Sequence, residues 1–305
     1  MRLRIATRGS ALARAQATDV AARLERAGHA TELVVLTTTG DQVTDRAFTD
    51  VGSFGVFVRE IEAALLDGRA DVAVHSYKDL PSRSPDGLVI AAVPERLDAA
   101  DVLLVRPDAA APALGGLPLR RGARVGTSAA RRKALLAAAR PDLEIGLLRG
   151  NVPTRVRALV EGKFDAIVLA AAGLARLDRA SGAPLVPADI LRTRLEPHVW
   201  VPAPAQGAIA VQVRADAPDA LRAVAALNDS RTTLALRAER ALLALAEAGC
   251  VLPFGAWCDV ADLELHLYAV LGQENGAIAR SVVTGTDPDA IAARAWAELS
   301  AGVPS

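Results

Sequence analysis

Two kinds of hydrophobic pattern alternate along the chain. Short apolar runs rich in β-branched residues, such as LRIAT, ELVVL and DVAVHS, are separated by longer segments with helical spacing, such as ALARAQATDVAARLERAG and FVREIEAALLDGRA. A second series of this kind begins after Pro94. Strands that alternate with helices are typical of βαβ units on a parallel or mixed sheet, so the pattern predicts two α/β domains.

The pattern changes in the last third of the chain. Near Trp200, VWVPAPAQGAIAVQVRAD places prolines before an alternating apolar strand, which indicates a hinge and a return to the first sheet. From Val224 onwards a long helix, a cysteine-containing loop, two strands and a helix from Pro288 predict a small α+β domain. We therefore expect three domains: domain 1 at 1–94 and 203–223, domain 2 at 95–202, and domain 3 at 224–305.

The charge balance excludes several classes of protein. The 305 residues include 35 basic residues (Lys and Arg) and 35 acidic residues (Asp and Glu), and aromatic residues make up 3%. A chain with no net positive charge and few aromatic residues is not typical of nucleic-acid-binding proteins. The N-terminus has no sustained apolar stretch, and the apolar run at 166–175 is shorter than the roughly 20 residues of a membrane-spanning helix. The composition predicts a cytoplasmic protein that binds neither nucleic acid nor membranes.

Three strand-to-helix turns combine glycine, hydroxyl and arginine residues with no acidic residue nearby. They are TRGSA at 7–11, RVGTSAARRK at 124–133 and RGNVPTRVR at 149–157. Backbone N–H groups at a helix N-terminus attract anions, and arginine binds carboxylates with two parallel hydrogen bonds. Because neither a Walker loop nor a GxGxxG motif is present, the turns predict a cleft for a small ligand with several carboxylates.

A purely structural interpretation of these turns stays open. Ser10, Thr127 and Thr154 would then be helix N-caps, which is a common role of such residues. The arginines would form a solvated helix face; they are Arg131, Arg132, Arg155 and Arg157.

The segment DVAVHSYKDLP at 71–81 predicts a buried strand that ends at Tyr77, Lys78 and Asp79. A carboxylate at the end of a strand can transfer protons or stabilise a developing cation. The alternative for Lys78 and Asp79 is an ordinary turn pair. His75 has no second histidine at metal-binding spacing, so we expect a packed side chain, and the sequence predicts no metal site.

The two cysteines, Cys250 and Cys258, are too few for a disulfide scaffold or a four-ligand zinc site. Cys250 follows an Ala/Leu-rich helical segment that stops at Gly249, which places it on a turn. It is either a small buried apolar residue or a thiol that holds or attacks a ligand. Cys258 follows an aromatic residue in the strand-like FGAWC, and we expect it to be packed.

The motifs RIATRGSALA, VHSYKDLP, VGTS, RGNVPTR, DAIVLAAAGLARL, PAPAQGA and AGCVLPFGA occur in this order along nearly the whole chain. In order and spacing the sequence resembles the porphobilinogen deaminase (hydroxymethylbilane synthase) family. The resemblance implies a transferase of porphyrin and heme biosynthesis. It would deaminate four porphobilinogen units and join them head to tail onto a dipyrromethane cofactor that Cys250 holds by a thioether, releasing hydroxymethylbilane and ammonia.

The resemblance also implies a fold and a set of site residues. Two domains would resemble type II periplasmic binding proteins with the active cleft between them, and a third domain would carry the cysteine. Asp79 would be the catalytic carboxylate, and arginines would bind the acetate and propionate arms of the pyrroles. The implied cofactor-binding residues are Cys250, Arg8, Ser10, Ser76, Lys78, Asp79, Thr127, Ser128, Arg131 and Arg132. The implied substrate-binding residues are Arg149, Arg155, Arg176 and Gln206.

The chain departs from the family pattern at positions near these motifs. Phe54 stands where the family often has a lysine in a Gly-rich segment, with Asp50 four residues earlier. Ala129 replaces one serine of an SSLRR motif. The family's GGCQVP reads AGCVLP here, which brings in Ala248 and Val251.

These departures leave Asp79 and Cys250 in place, so we expect activity. We also expect a monomer that passes its product to a tetrapyrrole-cyclising enzyme. The competing hypothesis is a non-catalytic binding or sensor protein that uses the same two-domain cleft for an organic anion, because fold alone does not define function.

Overall fold

The structure is a computed structural model that describes residues 1–36, 58–247, 253–262, 264–273 and 275–301. The chain divides into two compact units. Unit 1 comprises Met1–Leu97 and Gly207–Thr233, and unit 2 comprises Asp98–Gln206 and Leu234–Ser305. The three-domain division with the boundaries given above stays a prediction.

The described strands form two five-stranded sheets, one three-stranded sheet and one two-stranded hairpin. In chain order the strands are β1 (Arg2–Arg8), β2 (Ala30–Leu36), β3 (Val72–Ser76), β4 (Leu88–Ala92), β5 (Asp101–Val105), β6 (Ala110–Leu114), β7 (Leu117–Leu119), β8 (Arg124–Gly126), β9 (Glu144–Gly146), β10 (Ala166–Ala170), β11 (Leu191–Leu195), β12 (Ile209–Arg214), β13 (Phe254–Ala261), β14 (Glu264–Gly272) and β15 (Ile278–Gly285).

The helices lie between these strands. In chain order they are α1 (Ala11–Arg26), α2 (Arg59–Leu66), α3 (Ala130–Ala139), α4 (Val152–Val160), α5 (Ala171–Ser181), α6 (Pro218–Ala225), α7 (Ser230–Glu247) and α8 (Pro288–Ser300), with short 3-10 helices at Tyr77–Asp79 and Pro107–Ala109.

The sheet of unit 1 has the strand order β2-β1-β3-β12-β4. β1 is parallel to both β2 and β3, whereas β12 is antiparallel to β3 and β4. β12 therefore joins the first sheet from a distant part of the chain. Because β1 and β3 are parallel neighbours, their carboxyl ends lie at the same edge of the sheet.

Both faces of the central strands β1 and β3 are buried. Leu3 and Ile5 of β1 and Val72 and Val74 of β3 pack in one apolar cluster, while Ala73 packs in another. Successive side chains of a strand point to opposite faces, so both sets are covered only when helices lie on both sides. This double burial explains why β3 begins with three consecutive apolar residues, Val72–Val74.

Unit 2 contains the second five-stranded sheet, in the order β11-β5-β10-β8-β9. β10 is parallel to β8 but antiparallel to β5. On β5, Leu103 and Val105 pack in one core cluster and Leu104 packs in the opposite one. This sheet is therefore also buried on both faces.

Unit 2 also contains the antiparallel sheet β13-β14-β15. Its inner face, which includes Cys258 and Leu267, packs with Leu242 of α7 and Ile291 of α8. The predicted α/β fold class, with its small C-terminal α+β region and the final helix from Pro288, is confirmed by this arrangement.

Candidate active site

Asp79 lies at the end of a buried strand. Four of the five residues of β3 are buried, and the 3-10 turn Tyr77–Asp79 follows the strand directly. Leu80 closes the turn, since its N–H donates to the carbonyl oxygen of Tyr77 at 3.2 Å and its side chain is 3% exposed. The side chain of Asp79 is exposed. The fold thus anchors the turn on both sides and presents a carboxylate to solvent.

A cavity of about 480 Å³, which includes space open to solvent, lies beside this turn. Arg8 at the end of β1, Ser10 at the start of α1, and Ser76 and Asp79 all line it. Parallel pairing of β1 with β3 explains the convergence, because both strands end at this edge. Lys78 is half-buried in the same turn without being a lining residue.

Ser10 is also a helix N-cap. Its Oγ accepts a hydrogen bond from the Ala13 N–H at 3.3 Å. The structural interpretation of Ser10 is therefore confirmed, and its place in the cavity means that the two roles are compatible. For Thr154 the N-cap interpretation is wrong, because Asn151 caps α4 and Thr154 donates its N–H to the Asn151 side chain at 2.9 Å.

Gln16 is a lining residue that sequence reasoning missed. Its Nε2 donates to Ser76 Oγ at 2.8 Å, and the Ser76 hydroxyl donates to Gln16 Oε1 at 3.1 Å. The side chain is 3% exposed on the buried face of α1, beside Ala17 and Val20. A glutamine on the apolar face of a helix was the signal, because a buried amide needs polar partners.

A chain of three buried polar side chains begins at His75, which lines the cavity. His75 Nε2 is 3.0 Å from Gln212 Oε1, and Gln212 Nε2 donates to Glu62 Oε1 at 3.1 Å. Burial lowers the pKa of His75 to about 4, so the imidazole is neutral. Burial raises the pKa of the Glu62 carboxyl. The prediction that His75 is packed is confirmed, with a hydrogen-bonded partner on β12.

Unit 2 holds the second group of predicted residues. Arg131 and Arg132 begin α3, and their side chains are 6% exposed. Arg131 Nη2 donates to Asp101 Oδ2 at 2.8 Å, and Arg132 Nη2 donates to Asp101 Oδ1 at 2.6 Å. For these two arginines the alternative interpretation, a solvated helix face, is wrong, because both are buried and ion-paired. Sequence inspection found no acid beside them, since Asp101 is distant along the chain.

Two more predicted residues of unit 2 are buried. Gln206 is 1% exposed and donates Nε2 to Asp101 Oδ1 at 2.9 Å. It follows Ala205, whose φ of 59° lies in the left-handed region and whose N–H donates to the buried Glu239 carboxylate at 2.6 Å. Thr127 is 1% exposed and accepts from the Ala129 N–H at 3.3 Å. Thr127 is not the N-cap of α3, because Ala129 occupies that position.

The remaining predicted residues are more accessible. Ser128 and Arg149 are exposed, and Arg176 is half-buried in α5. Arg155 is half-buried and donates Nε to the Gly150 carbonyl oxygen at 2.7 Å. Their proposed contacts with a ligand stay predictions.

Several predictions fall outside the described residues. They concern Cys250 and its loop, with Ala248, Gly249 and Val251, and the Gly-rich segment with Asp50 and Phe54. Cys258 is described: it is 3% exposed on β13, and its N–H donates to Glu239 at 2.8 Å. The prediction that Cys258 is packed is confirmed.

Across residues 1–36, 58–247 and the shorter described ranges, no three His, Cys, Asp or Glu side chains cluster so that they could hold a metal ion. Within the same part of the chain, no helix is both long and apolar enough to cross a membrane.

Two family models match the chain. The model described as "Porphobilinogen deaminase, dipyromethane cofactor binding domain" matches residues 3–222. The model described as "Porphobilinogen deaminase, C-terminal domain" matches residues 233–300.

Curated relatives agree with these models. A porphobilinogen deaminase of Moorella thermoacetica is 44% identical over 94% of this chain and 90% of its own length. One of Albidiferax ferrireducens is 44% identical over 99% of this chain and 94% of its own. A probable porphobilinogen deaminase of Hyperthermus butylicus is 42% identical over 95% of this chain and 92% of its own.

Solved structures give weaker similarities. An ancestral cationic amino acid solute binding protein has a TM-score of 0.43 at 16% identity, covering 74% of this chain and 87% of that protein. A periplasmic substrate-binding protein of Coxiella burnetii has a TM-score of 0.42 at 17% identity, covering 76% and 94%. The fold class follows from the strand order described above.

Proposed function

The chain belongs to the porphobilinogen deaminase family, and on that premise we propose that the pocket around Asp79 is where its reaction takes place. The family consists of transferases that make hydroxymethylbilane, a linear tetrapyrrole, from porphobilinogen, and this chain is such an enzyme. The observation that carries the proposed site is an exposed carboxylate in one pocket with Arg8, Ser10 and Ser76. Non-catalytic binding or sensing of an organic anion is not favoured.

The residues present fit a dipyrromethane group. Because this group carries carboxylate arms, its site needs cations and hydrogen-bond donors. Arg8 and two serines line the pocket of unit 1. In unit 2, the buried Nε–H of Arg132 has no hydrogen-bond partner among the described residues, and a carboxylate would satisfy it. When bound, dipyrromethane supplies the pyrrole end to which porphobilinogen units are added.

Cys250 is the proposed attachment point of the cofactor. Support comes from the AGC motif and from membership of a family whose cofactor is dipyrromethane. The other cysteine, Cys258, is buried in a sheet, which argues against it as the residue that forms the thioether.

Asp79 is the proposed catalytic carboxylate. Ammonia leaves as positive charge develops on a pyrrole, and a nearby fixed anion lowers the energy of that state. The turn after β3, which Leu80 closes, places this carboxylate at the pocket, where it would stand beside the reacting group.

The polar residues around Asp79 and in unit 2 are proposed to bind carboxylate arms. This role separates them from Asp79, because they hold charge that is present before and after the reaction. For the cofactor they are Arg8, Ser10, Ser76, Lys78, Thr127, Ser128, Arg131 and Arg132. For the substrate they are Arg149, Arg155, Arg176 and Gln206.

We also propose a cytoplasmic monomer that hands its product to a tetrapyrrole-cyclising enzyme. The zero net charge supports the absence of nucleic-acid and membrane partners. Light scattering during size-exclusion chromatography tests the oligomeric state, and a dimer at micromolar concentration would contradict it.

Intact-mass spectrometry of two cysteine variants tests the attachment point. Cys250→Ala should carry no dipyrromethane, because the thioether has no sulfur to form on. Cys258→Ala is the matched control, and it should carry the same mass increment as the wild type. An unmodified Cys258→Ala protein beside a modified Cys250→Ala protein would reverse the assignment.

A second test follows chain growth. Successive pyrroles bring new acid arms to different arginines, so Arg132→Leu and Arg149→Leu should accumulate different enzyme-bound intermediates after limited porphobilinogen. Intact mass resolves these intermediates. Two folded variants with wild-type distributions would contradict the proposed binding roles.

A further inference from the structure

Asp101 is the centre of a buried ion cluster in unit 2. It begins β5 and is 0% exposed. Besides the two arginine donors, its Oδ1 accepts from Gln206 Nε2 at 2.9 Å, and its Oδ2 accepts from Trp200 Nε1 at 3.2 Å. Each carboxylate oxygen thus holds one guanidinium and one neutral donor. This arrangement fixes both arginines from the same point.

The charges of the cluster do not cancel. Two guanidinium groups carry +2 and one carboxylate carries −1, which leaves +1 in a buried place. Burial disfavours the ionised form of Asp101, but the two arginines and the hydrogen bonds outweigh burial and hold its pKa far below its usual range. The carboxylate therefore stays ionised, and the excess positive charge stays too. A buried charge without a counterion is strongly unfavourable.

One nitrogen of the Arg132 guanidinium, Nε, is buried without a hydrogen-bond partner among the described residues. Nη1 donates to the Val168 carbonyl oxygen at 2.9 Å, and Nη2 donates to Asp101. The buried Nε–H has no partner within the described part of the chain. An anion would accept a hydrogen bond from this N–H and would also neutralise the excess positive charge.

We propose that Asp101 is a positioning residue, which fixes Arg131 and Arg132 and limits their joint charge to +1, so that one acid arm of a bound pyrrole completes the cluster. The proposal rests on the proposed function of Arg132 as an arm-binding residue. Asp101 itself does not touch the arm. It acts through the direction and the charge of the two guanidinium groups.

The competing description is a structural ion cluster. In that case Asp101 would stabilise the fold, and its replacement would change unfolding without changing how folded protein takes up the cofactor. Uptake by folded apo protein therefore separates the two descriptions.

The test measures cofactor loading by intact mass. Full-length apo protein, produced without porphobilinogen, is mixed with porphobilinogen, and the modified fraction is followed in time at a temperature where circular dichroism shows native structure. Asp101→Asn should load roughly tenfold to a hundredfold more slowly, the size expected for losing a charge-assisted hydrogen bond. Asp101→Glu retains the charge but moves the carboxylate by one methylene, so it should fold and load at an intermediate rate.

Asp142→Asn is the matched control. Asp142 pairs with Arg140, a buried arginine of unit 2 that belongs to no proposed site. Its replacement should lower the unfolding temperature and leave the loading rate of folded protein unchanged. If Asp101→Asn and Asp101→Glu also load at the wild-type rate, the cluster is structural and the proposal is wrong.

A double-variant cycle connects Asp101 with Arg132. If Asp101 acts through Arg132, Asp101→Asn should add little to the slower loading of Arg132→Leu. Effects that multiply would overturn the proposal while leaving the role of Arg132 intact. Wild-type loading and chain growth by Arg132→Leu would instead overturn the proposed function, whatever Asp101→Asn does.

Discussion

Two aspartates, one in each unit, stand in opposite surroundings. Asp79 follows β3 and is exposed beside a pocket that is open to solvent. Asp101 begins β5 and is fully buried, with two arginines and two neutral donors around it. The first carboxylate faces incoming groups, whereas the second already has its partners.

This contrast teaches that position at a strand end does not define a role. Both residues flank apolar strands, but only Asp79 keeps its negative charge available for a ligand. The negative charge of Asp101 is already ion-paired with Arg131 and Arg132. We therefore expect charge removal to impair turnover at Asp79, and to impair both stability and cofactor loading at Asp101.

The largest expected effect is on the stability of unit 2. Asp101→Asn should lower the free energy of unfolding by about 3–5 kcal/mol, because two buried guanidinium groups lose their counterion. Asp98→Asn is the control: Asp98 pairs with Arg194 at the surface, where both side chains are at least 40% exposed, and such pairs contribute about 0–1 kcal/mol. Urea unfolding of the apo proteins measures both. Equal losses would remove the contrast between buried and exposed aspartates.

The next effect is on turnover. Asp79→Asn should raise the activation free energy by roughly 3–4 kcal/mol, two to three decades in rate, because a neutral amide replaces the anion that faces the developing cation. Its exposure predicts little change in unfolding free energy. Steady-state assays at saturating porphobilinogen measure the rate. Near-native turnover would contradict the catalytic role, and a change in KM alone would make Asp79 a binding residue.

The same contrast explains how far the sequence could go. The alternating strands and helices, the carboxyl-end position of Asp79 and the final helix from Pro288 follow from local periodicity, so they were predictable. The hairpin β6-β7 and the edge strand β11 were missed, because short strands with exposed residues lack a clear period.

Long-range pairing accounts for the other omissions. Asp101 forms its ion pair with Arg131, which lies 30 residues later in the sequence, and His75 contacts Gln212, which lies 137 residues later. No local pattern encodes such partners. A usable signal was a polar residue in a buried run, such as Gln16 on α1 or Gln212 within IAVQV, because such a residue requires a partner in the core.

A smaller effect depends on pH and concerns His75, which lines the Asp79 pocket. Folding lowers the pKa of His75 from 6.5 to about 4, so the unfolded chain binds a proton that the native state rejects. The stability from His75 is therefore complete above pH 6.5 and decreases as the pH falls toward 4. We expect about 2–3 kcal/mol of this stability to disappear between pH 7 and pH 4.5.

Comparison with a variant isolates the contribution of His75. Glu62 acts in the opposite direction, because its raised pKa lets the native state take up a proton first as the pH falls. His75→Gln should flatten the pH dependence of urea unfolding, while His198→Gln, at an exposed histidine, should not. An unchanged slope for His75→Gln would mean that the imidazole accepts a proton inside the fold.

The smallest effect compares two helix caps, Ser10 in unit 1 and Asn151 in unit 2. Each accepts a hydrogen bond from a backbone N–H of the first turn, so Ser10→Ala and Asn151→Ala should each lower the unfolding free energy of apo protein by about 1 kcal/mol. Ser10 also lines the pocket. If its hydroxyl holds an acid arm, cofactor-loaded Ser10→Ala protein should lose a further 0.5–1.5 kcal/mol, roughly one hydrogen bond, and Asn151→Ala should not. Thermal unfolding of apo and loaded proteins measures the difference, and identical losses in both states would leave Ser10 as a cap alone.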